Sequence, residues 1–326
     1  MLITKTPLRV SFAGGGTDLE SFYKHYNTPG CVVSCSIDKY IYQLIKNNFF
    51  DGSIISYSQV EKISKNSEIN HKIIRHIFQK YNVSNVEYHS IADFPSGLGL
   101  GSSSAFTVGL LKLVKEYTGM TNNAFEIASE AADIEINQLN EPIGLQDQFG
   151  CAIGGIKKIT FDPKNGVSVD KINLKSDQIE EFKKNLILFR VGSSRSASRI
   201  LEKQKEETKN NEETFNSLVK MRDLAEELSR EIITNIDSVG HYLNLTWQLK
   251  RQLTNEISTD EIDEIHNIGI ENGAAGGKLL GAGQGGFILF YCKRSYQDRL
   301  CKKLHKLRNF KVQVDELGVT CKNDFK

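Results

Sequence analysis

Along residues 102–117 the apolar positions Phe106, Leu110, Leu113, Val114 and Tyr117 recur at helical intervals, and Gly119 follows as a stop signal. Residues 69–81, INHKIIRHIFQKY, carry the same spacing, so two helices are expected there. Branched and aromatic residues dominate CVVSCSIDKYIYQLIKN (31–47) and VEYHSI (86–91), and LRVSF runs into the glycine turn AGGGTD, which together predict strands. From residue 162 to 181 the chain turns polar around DPKNG, and NLILFRVG then starts a new strand. A boundary near residue 180 is expected, giving domains 1–180 and 181–326. The second part reads as a charged helical run over 199–230, a helix near 259–272, the strand GFILFY, the helix YQDRLCKKLHKL and the strand FKVQVDEL. Strands mixed with helices give an α+β or α/β class, and EKQKEETKNNEE reads as a solvated helix face.

Composition narrows the partners. A chain of 326 residues exceeds the roughly 100 to 150 residues typical of one domain, so two domains sharing a cleft are expected. Lys+Arg 41 against Asp+Glu 40, a formal net charge of +1, argues against a nucleic-acid partner. The six cysteines form no CxxC pair, which reads as reduced thiols rather than a zinc site. The N-terminus lacks a signal peptide and no segment approaches the roughly 20 apolar residues of a span, so a cytoplasmic protein without a membrane partner is expected.

Three glycine-rich stretches need explanation: AGGGTD, SGLGLGSSSA and GAGQGG. No GxxxxGK[ST] loop is present; GAAGGKLL has the wrong spacing and no Ser or Thr after Lys278. Gly281, Gly283 and Gly286 spell GxGxxG, but a strand follows where a dinucleotide fingerprint opens a helix. SGLGLGSSSA lies between a strand and a long helix, where free N–H donors and the helix dipole converge on one anion site, most naturally for a triphosphate. Of Ser102, Ser103 and Ser104, one is expected to cap the helix; three exceed what a cap needs, and a hydroxyl facing phosphate can ligate Mg²⁺.

In residues 122–142 helical increments place Ala124, Ile127, Ala128, Ala131 and Ile134 on one stripe, with Glu135 in its middle. Glu126, Glu130 and Asp133 fall on the other face. An inward carboxylate is costly unless paired, hydrogen-bonded or bound to a cation, and a salt bridge to a Lys or Arg from elsewhere is set against metal ligation. Asp147 follows Pro142 and Gly144, which end the helix, and Arg9 interrupts an apolar strand. An anion loop, an inward Glu, an Asp and an Arg are together the parts that phosphoryl transfer requires.

PLRVSFAGGGTD (7–18), PSGLGLGSSSA (95–105) and KLLGAGQGGF (278–287) resemble, in order, the three signature motifs of the GHMP small-molecule kinases. The resemblance implies the GHMP kinase fold: an N-terminal domain like domain 2 of ribosomal protein S5, a ferredoxin-like C-terminal domain, and an active site between them. It also implies ATP and Mg²⁺ as cofactors. Pro95, Ser96, Gly97, Leu98, Gly99, Leu100, Gly101, Ser102, Ser103 and Ser104 would wrap the nucleotide phosphates. Ser103 and Glu135 match the metal ligands, and Asp147 matches the aspartate that takes or orients the proton of the attacking hydroxyl. Arg9 matches the basic residue that keeps this carboxylate ionised.

Galactokinases carry Glu-His where this chain has Gly15 and Gly16, ahead of Thr17 and Asp18, which argues against galactose. GGGTDLESFY, SIDKYIYQ, GLQDQFG and VGSSRSASRIL look most like the branch containing the D-glycero-D-manno-heptose 7-phosphate kinases, with fucokinases near it. That resemblance implies ATP-dependent phosphorylation of the anomeric O1 of this sugar phosphate to the 1,7-bisphosphate, for nucleotide-activated heptose and surface polysaccharide. Gly15, Gly16, Thr17, Asp18 and Gly283 are expected at the substrate. Arg195 and Arg199 are candidates for a clamp on its phosphate, against the plainer reading of a solvated helix start. A fucose- or galactose-type kinase and a non-catalytic sugar sensor are the alternatives, and a homodimer is allowed. A sensor would be expected to break the Ser/Glu/Asp/Arg set, and a decarboxylase of the same fold fits GLQDQ poorly.

Overall fold

The computed structural model describes residues 1–192 and 197–323. The first sheet contains β1 (Leu2–Ala13), β2 (Gly30–Asn47), β3 (Ser53–Ser56), β4 (Val60–Ile63), β5 (Val86–Ala92), β6 (Ile156–Asp162) and β7 (Gly166–Lys171). The second contains β8 (Leu186–Gly192), β9 (Ala274–Leu279), β10 (Gly285–Cys292) and β11 (Asn309–Lys311), and β12 (Thr320–Asn323) returns to the first. The helices are α1 (Glu20–Tyr23), α2 (Lys72–Lys80), α3 (Ser102–Tyr117), α4 (Ala124–Ala132), α5 (Gln146–Ala152), α6 (Ser176–Asn185), α7 (Ala197–Asn210), α8 (Glu212–Glu231), α9 (Ser238–Lys250), α10 (Asp260–Glu271) and α11 (Arg294–Lys303).

β2 organises the first sheet. It pairs with β1 along most of its length, with β6 through Gly30–Cys35 and with β5 through Ile41–Asn47. Residues 30–37 are all buried, which is why this half reads as an unbroken apolar run rather than an alternating one. α3 packs on β1 and β2, and Leu110, Leu111, Leu113 and Val114 are fully buried on more than one side. Each such side chain contributes roughly 1.5–3 kcal/mol by its removal from water, so this helix anchors the phosphate loop that precedes it.

The second sheet runs in the order β11-β8-β10-β9, all antiparallel, with helices between its first two and last two strands; this is the ferredoxin-like β-α-β-β-α-β arrangement. The halves interlock, because α8 packs on β2 and β12 pairs with β1 from Leu2↔Asn323 to Lys5↔Thr320. The second sheet begins at Leu186, and the last strand leaves it for the first. The charged run over 199–230 is two helices, broken at Asn211, whose side chain caps α8 by accepting from Glu213 N at 2.9 Å and Thr214 N at 3.3 Å. α9 carries no strong apolar stripe and was not expected. FKVQVDEL is strand only at its start, with Val314 bridging to Ile37. No helix among the described residues is long and apolar enough to cross a membrane.

The expected helix over 122–142 is α4 followed by a π-helical segment, Asp133–Gln138. Glu130, expected on a solvated face, instead ties three helices together: it accepts from Lys80 at 2.6 Å, Lys115 at 2.6 Å and the Tyr81 hydroxyl at 2.5 Å. Burial alone raises its pKa, but the bonds from Lys115, Lys80 and Tyr81 outweigh that and lower it to about 2. A carboxylate depressed in the folded state stabilises the fold above its unfolded value of roughly 4.3. That contribution is lost as pH falls through the folded value. Urea denaturation from pH 6 to 2 should therefore show a stability loss below about pH 4.3 that is smaller in Glu130→Gln.

Candidate active site

Arg9 projects from β1 into the cleft and is buried. Its Nε and Nη2 donate to Asp147 Oδ1 at 2.8 and 2.6 Å, and its Nη1 donates to the carbonyl of Gly99 at 2.7 Å. Burial works against the guanidinium charge; the Asp147 carboxylate, with smaller help from Cys151 and Asp18, outweighs this and raises its pKa. Among the described residues, Asp147 Oδ2 takes no hydrogen bond and faces a pocket also lined by Ser11, Gly15, Gly16, Asp18 and Gln146.

The QDQ of the GLQDQFG stretch gives each of its three side chains a different partner. Gln146 donates to Asp18 Oδ1 at 2.9 Å, Asp147 holds Arg9, and Gln148 donates to Glu135 Oε2 at 2.6 Å. The first turn of α5 thus fixes the substrate end, the catalytic candidate and the metal candidate at once. Asp18 also accepts from Gly16 N at 2.9 Å; burial, then repulsion from Asp147, raises its pKa.

Glu135 is fully buried, as its place in the apolar stripe predicts. Oε1 accepts from Thr107 at 2.9 Å and Ser103 at 3.4 Å, and Oε2 from Ser104 at 2.8 Å and Gln148 at 2.6 Å. Its pKa is raised by burial against these neutral donors, and no described Lys or Arg pairs with it. The salt bridge is excluded among the described residues, and these four neutral hydrogen bonds are what satisfies the carboxylate. Ser103 lines the pocket and Glu135 stands directly behind it, outside the lining; the two oxygen-bearing groups, with no cation beside them among the described residues, are of the chemistry that a hard cation takes.

Gly101, which precedes α3 at its N-cap, lies in the left-handed region at φ 73° and leaves the helix with no side-chain cap. The expected serine cap is thus absent: Ser104 is spent on Glu135, Ser103 opens to the pocket, and the buried Ser102 Oγ has no partner. The helix N–H groups are left for an anion. Gly97, Gly99, Gly101 and Ser102 to Ser104 line the pocket, whereas Leu98 and Leu100 are core residues and Pro95 and Ser96 lie outside the lining.

The third motif explains its own glycines. A Cβ on Gly281 would lie 2.4 Å from the Gly99 Cα, and one on Gly99 would lie 2.5 Å from the Leu280 carbonyl. The two loops therefore meet backbone to backbone. Gly283 lines the same pocket. Two expectations are corrected. Thr17 faces the core, bonding Gly14 O at 2.8 Å and Cys31 O at 3.1 Å. Arg199 is 83% exposed, pairs only loosely with Glu256 at 3.9 Å, and stands outside the pocket. Arg195 lies outside the described residues.

Residues 68–155 match the profile of the GHMP kinases N terminal domain, and residues 222–308 that of the GHMP kinases C terminal domain. The chain belongs to the GHMP kinase family. It is 29% identical over 325 residues to a D-glycero-alpha-D-manno-heptose 7-phosphate kinase of Campylobacter jejuni, covering 94% of each chain. In structure it resembles a D-glycero-D-manno-heptose 1-phosphate kinase from Bacteroides thetaiotaomicron, with TM-score 0.80, 20% identity and 100% of both chains covered. It also resembles the galactokinase of Lactococcus lactis complexed with galactose, with TM-score 0.76, 13% identity and 98% and 95% of the chains covered.

Within this GHMP kinase, sequence reasoning missed Lys250, Lys278, Gln146 and Gln204 as pocket residues. Lys278 carries the same signal as Arg9, a charge inside an apolar strand. Gln204 carries none, because it sits in the charged run EKQKEETKNNEE while being buried itself. The packing of the two loops is directly testable. Gly281→Ala, which adds a Cβ at φ 73° against Gly99, should destabilise the fold by more than about 1 kcal/mol in urea and weaken ATP binding in calorimetry.

Proposed function

We propose that this sugar kinase transfers the γ-phosphoryl group of ATP to the anomeric O1 hydroxyl of D-glycero-D-manno-heptose 7-phosphate, giving the 1,7-bisphosphate. The observation that carries the reading is the Arg9 contact set, which joins Asp147 to Gly99 of the phosphate loop. An acceptor hydroxyl held at Asp147 Oδ2 then meets the end of a polyphosphate seated on the α3 N-terminus. Beyond Asp147 two buried polar atoms stand without partners among apolar neighbours such as Leu201 and Met221: Gln146 Oε1, an acceptor, and Gln204 Nε2, a donor, both suited to sugar hydroxyls. The heptose 7-phosphate kinase relative, matched over 94% of both chains, supports the choice of sugar.

In the reaction, Asp147 orients the hydroxyl and takes its proton as the bond to phosphorus forms, and Arg9 holds that carboxylate in place. The helix N–H groups and Ser102 hold the nucleotide phosphates. Ser103 and Glu135 would hold a magnesium ion with them, which supplies charge neutralisation at the phosphates.

The test is ADP release with heptose 7-phosphate, fucose, galactose, mannose and mevalonate, with phosphorus NMR of the product. Heptose 7-phosphate should turn over fastest and give a new anomeric phosphate signal. Turnover of mevalonate and no sugar contradicts the reading. Asp147→Asn should lower kcat by about 10²- to 10⁴-fold with ATP affinity retained; near-normal turnover removes Asp147 from the role.

A further inference from the structure

Two lysines line the pocket without a countercharge. Lys278 of β9 is 2% exposed and its Nζ makes one long contact, 3.3 Å to Ser11 Oγ. Lys250 at the end of α9 is 8% exposed and donates to the carbonyls of Leu279, at 3.2 Å, and Gly281. Neither has a carboxylate partner among the described residues, and Asp147 is already engaged by Arg9. A buried ammonium left in this way is unfavourable by several kcal/mol unless an anion completes it.

Their placement says which anion. Ser11 stands two residues after Arg9 on the same face of β1, so the Lys278 ammonium lies beside the group that holds Asp147. Lys250 grips the carbonyl of Gly281, whose backbone abuts Gly99 of the phosphate loop. The two cations therefore flank Arg9 at the junction between the acceptor hydroxyl and the nucleotide. We infer that Lys278 and Lys250 form the binding site of the phosphoryl group in transfer, first as the ATP γ-phosphate and then as the new phosphate of the product. A phosphate already carried at the far end of a seven-carbon sugar lies away from this junction when O1 is at Asp147.

The charge state of the unliganded pocket agrees. Burial, then the Arg9 charge, pushes Lys250 down to about 7, and burial with Lys250 and Arg9 holds Lys278 well below the usual lysine range. A dianionic phosphoryl group reverses this balance and draws both lysines into their charged form. During transfer, negative charge spreads over the three equatorial oxygens of the moving group, and two ammonium groups beside Arg9 meet it without reorganisation.

The inference rests on the kinase reading and not on the identity of the sugar. Calorimetry of the full chain with Mg²⁺ compares ADP with a non-hydrolysable ATP analogue in wild type, Lys278→Met and Lys278→Gln, the last keeping a donor for Ser11. Both variants should bind the analogue about 10- to 100-fold more weakly while ADP affinity changes little. Without ligand, Lys278→Met should melt at or above the wild-type temperature, because a buried unpaired charge has been removed. An unchanged preference for the analogue over ADP in both variants overturns the inference. So does a raised KM for the sugar phosphate with analogue binding intact, which would assign the lysine to the substrate's own phosphate. A wild-type chain that binds the analogue no better than ADP overturns the inference alone, whereas one that binds neither nucleotide contradicts the kinase reading on which it rests.

Discussion

The buried contact between Arg9 and Asp147 is the constraint on which the site depends. One guanidinium takes the carboxylate of α5 with two of its nitrogens and the Gly99 carbonyl with the third. Strand β1, helix α5 and the glycine loop before α3 are thereby fixed to one planar group. Such a pair gives little net stability, since its charges lose water, but removing Asp147 leaves the buried Arg9 guanidinium without its countercharge and costs about 3–5 kcal/mol. Its value is therefore positional. Other contacts of the pocket converge on it: Gln146 with Asp18 on one side, Gln148 with Glu135 on the other, and the third-motif hairpin against Gly99.

Much of this was legible where a charge broke an apolar pattern. Arg9 in LRVSF and Glu135 in the stripe of residues 122–142 both stand out, because burying a charge is too costly to be accidental. Lys278 in AAGGKL gives the same signal, weakened by the two glycines that precede it. Lys250 ends a helix, where a basic residue is ordinary, so nothing local separates it from a cap. The partners of Glu135 were not legible, since Thr107, Ser104 and Gln148 are common polar residues whose convergence depends on how α3 and α5 pack. Thr17 misled for a related reason: its neighbours line the pocket, while its own hydroxyl closes the turn against Cys31.

The fold was readable in its strands and in α3, where hydrophobic periodicity is strong, and less so where it is weak. α9 packs on β9 with little amphipathic pattern. Gln204 and Thr208 are buried within a run that reads as solvated, because α7 lies over the acceptor end of the pocket. The closing pairing of β12 with β1 joins the two ends of the chain, a contact that no local pattern reports.

A double-mutant cycle on Arg9 and Asp147 tests the central claim most directly. Turnover would be measured for Arg9→Met, Asp147→Asn and the double variant. If the two residues act as one unit, the double variant turns over no more slowly than the slower single variant. Losses that multiply independently would contradict the account.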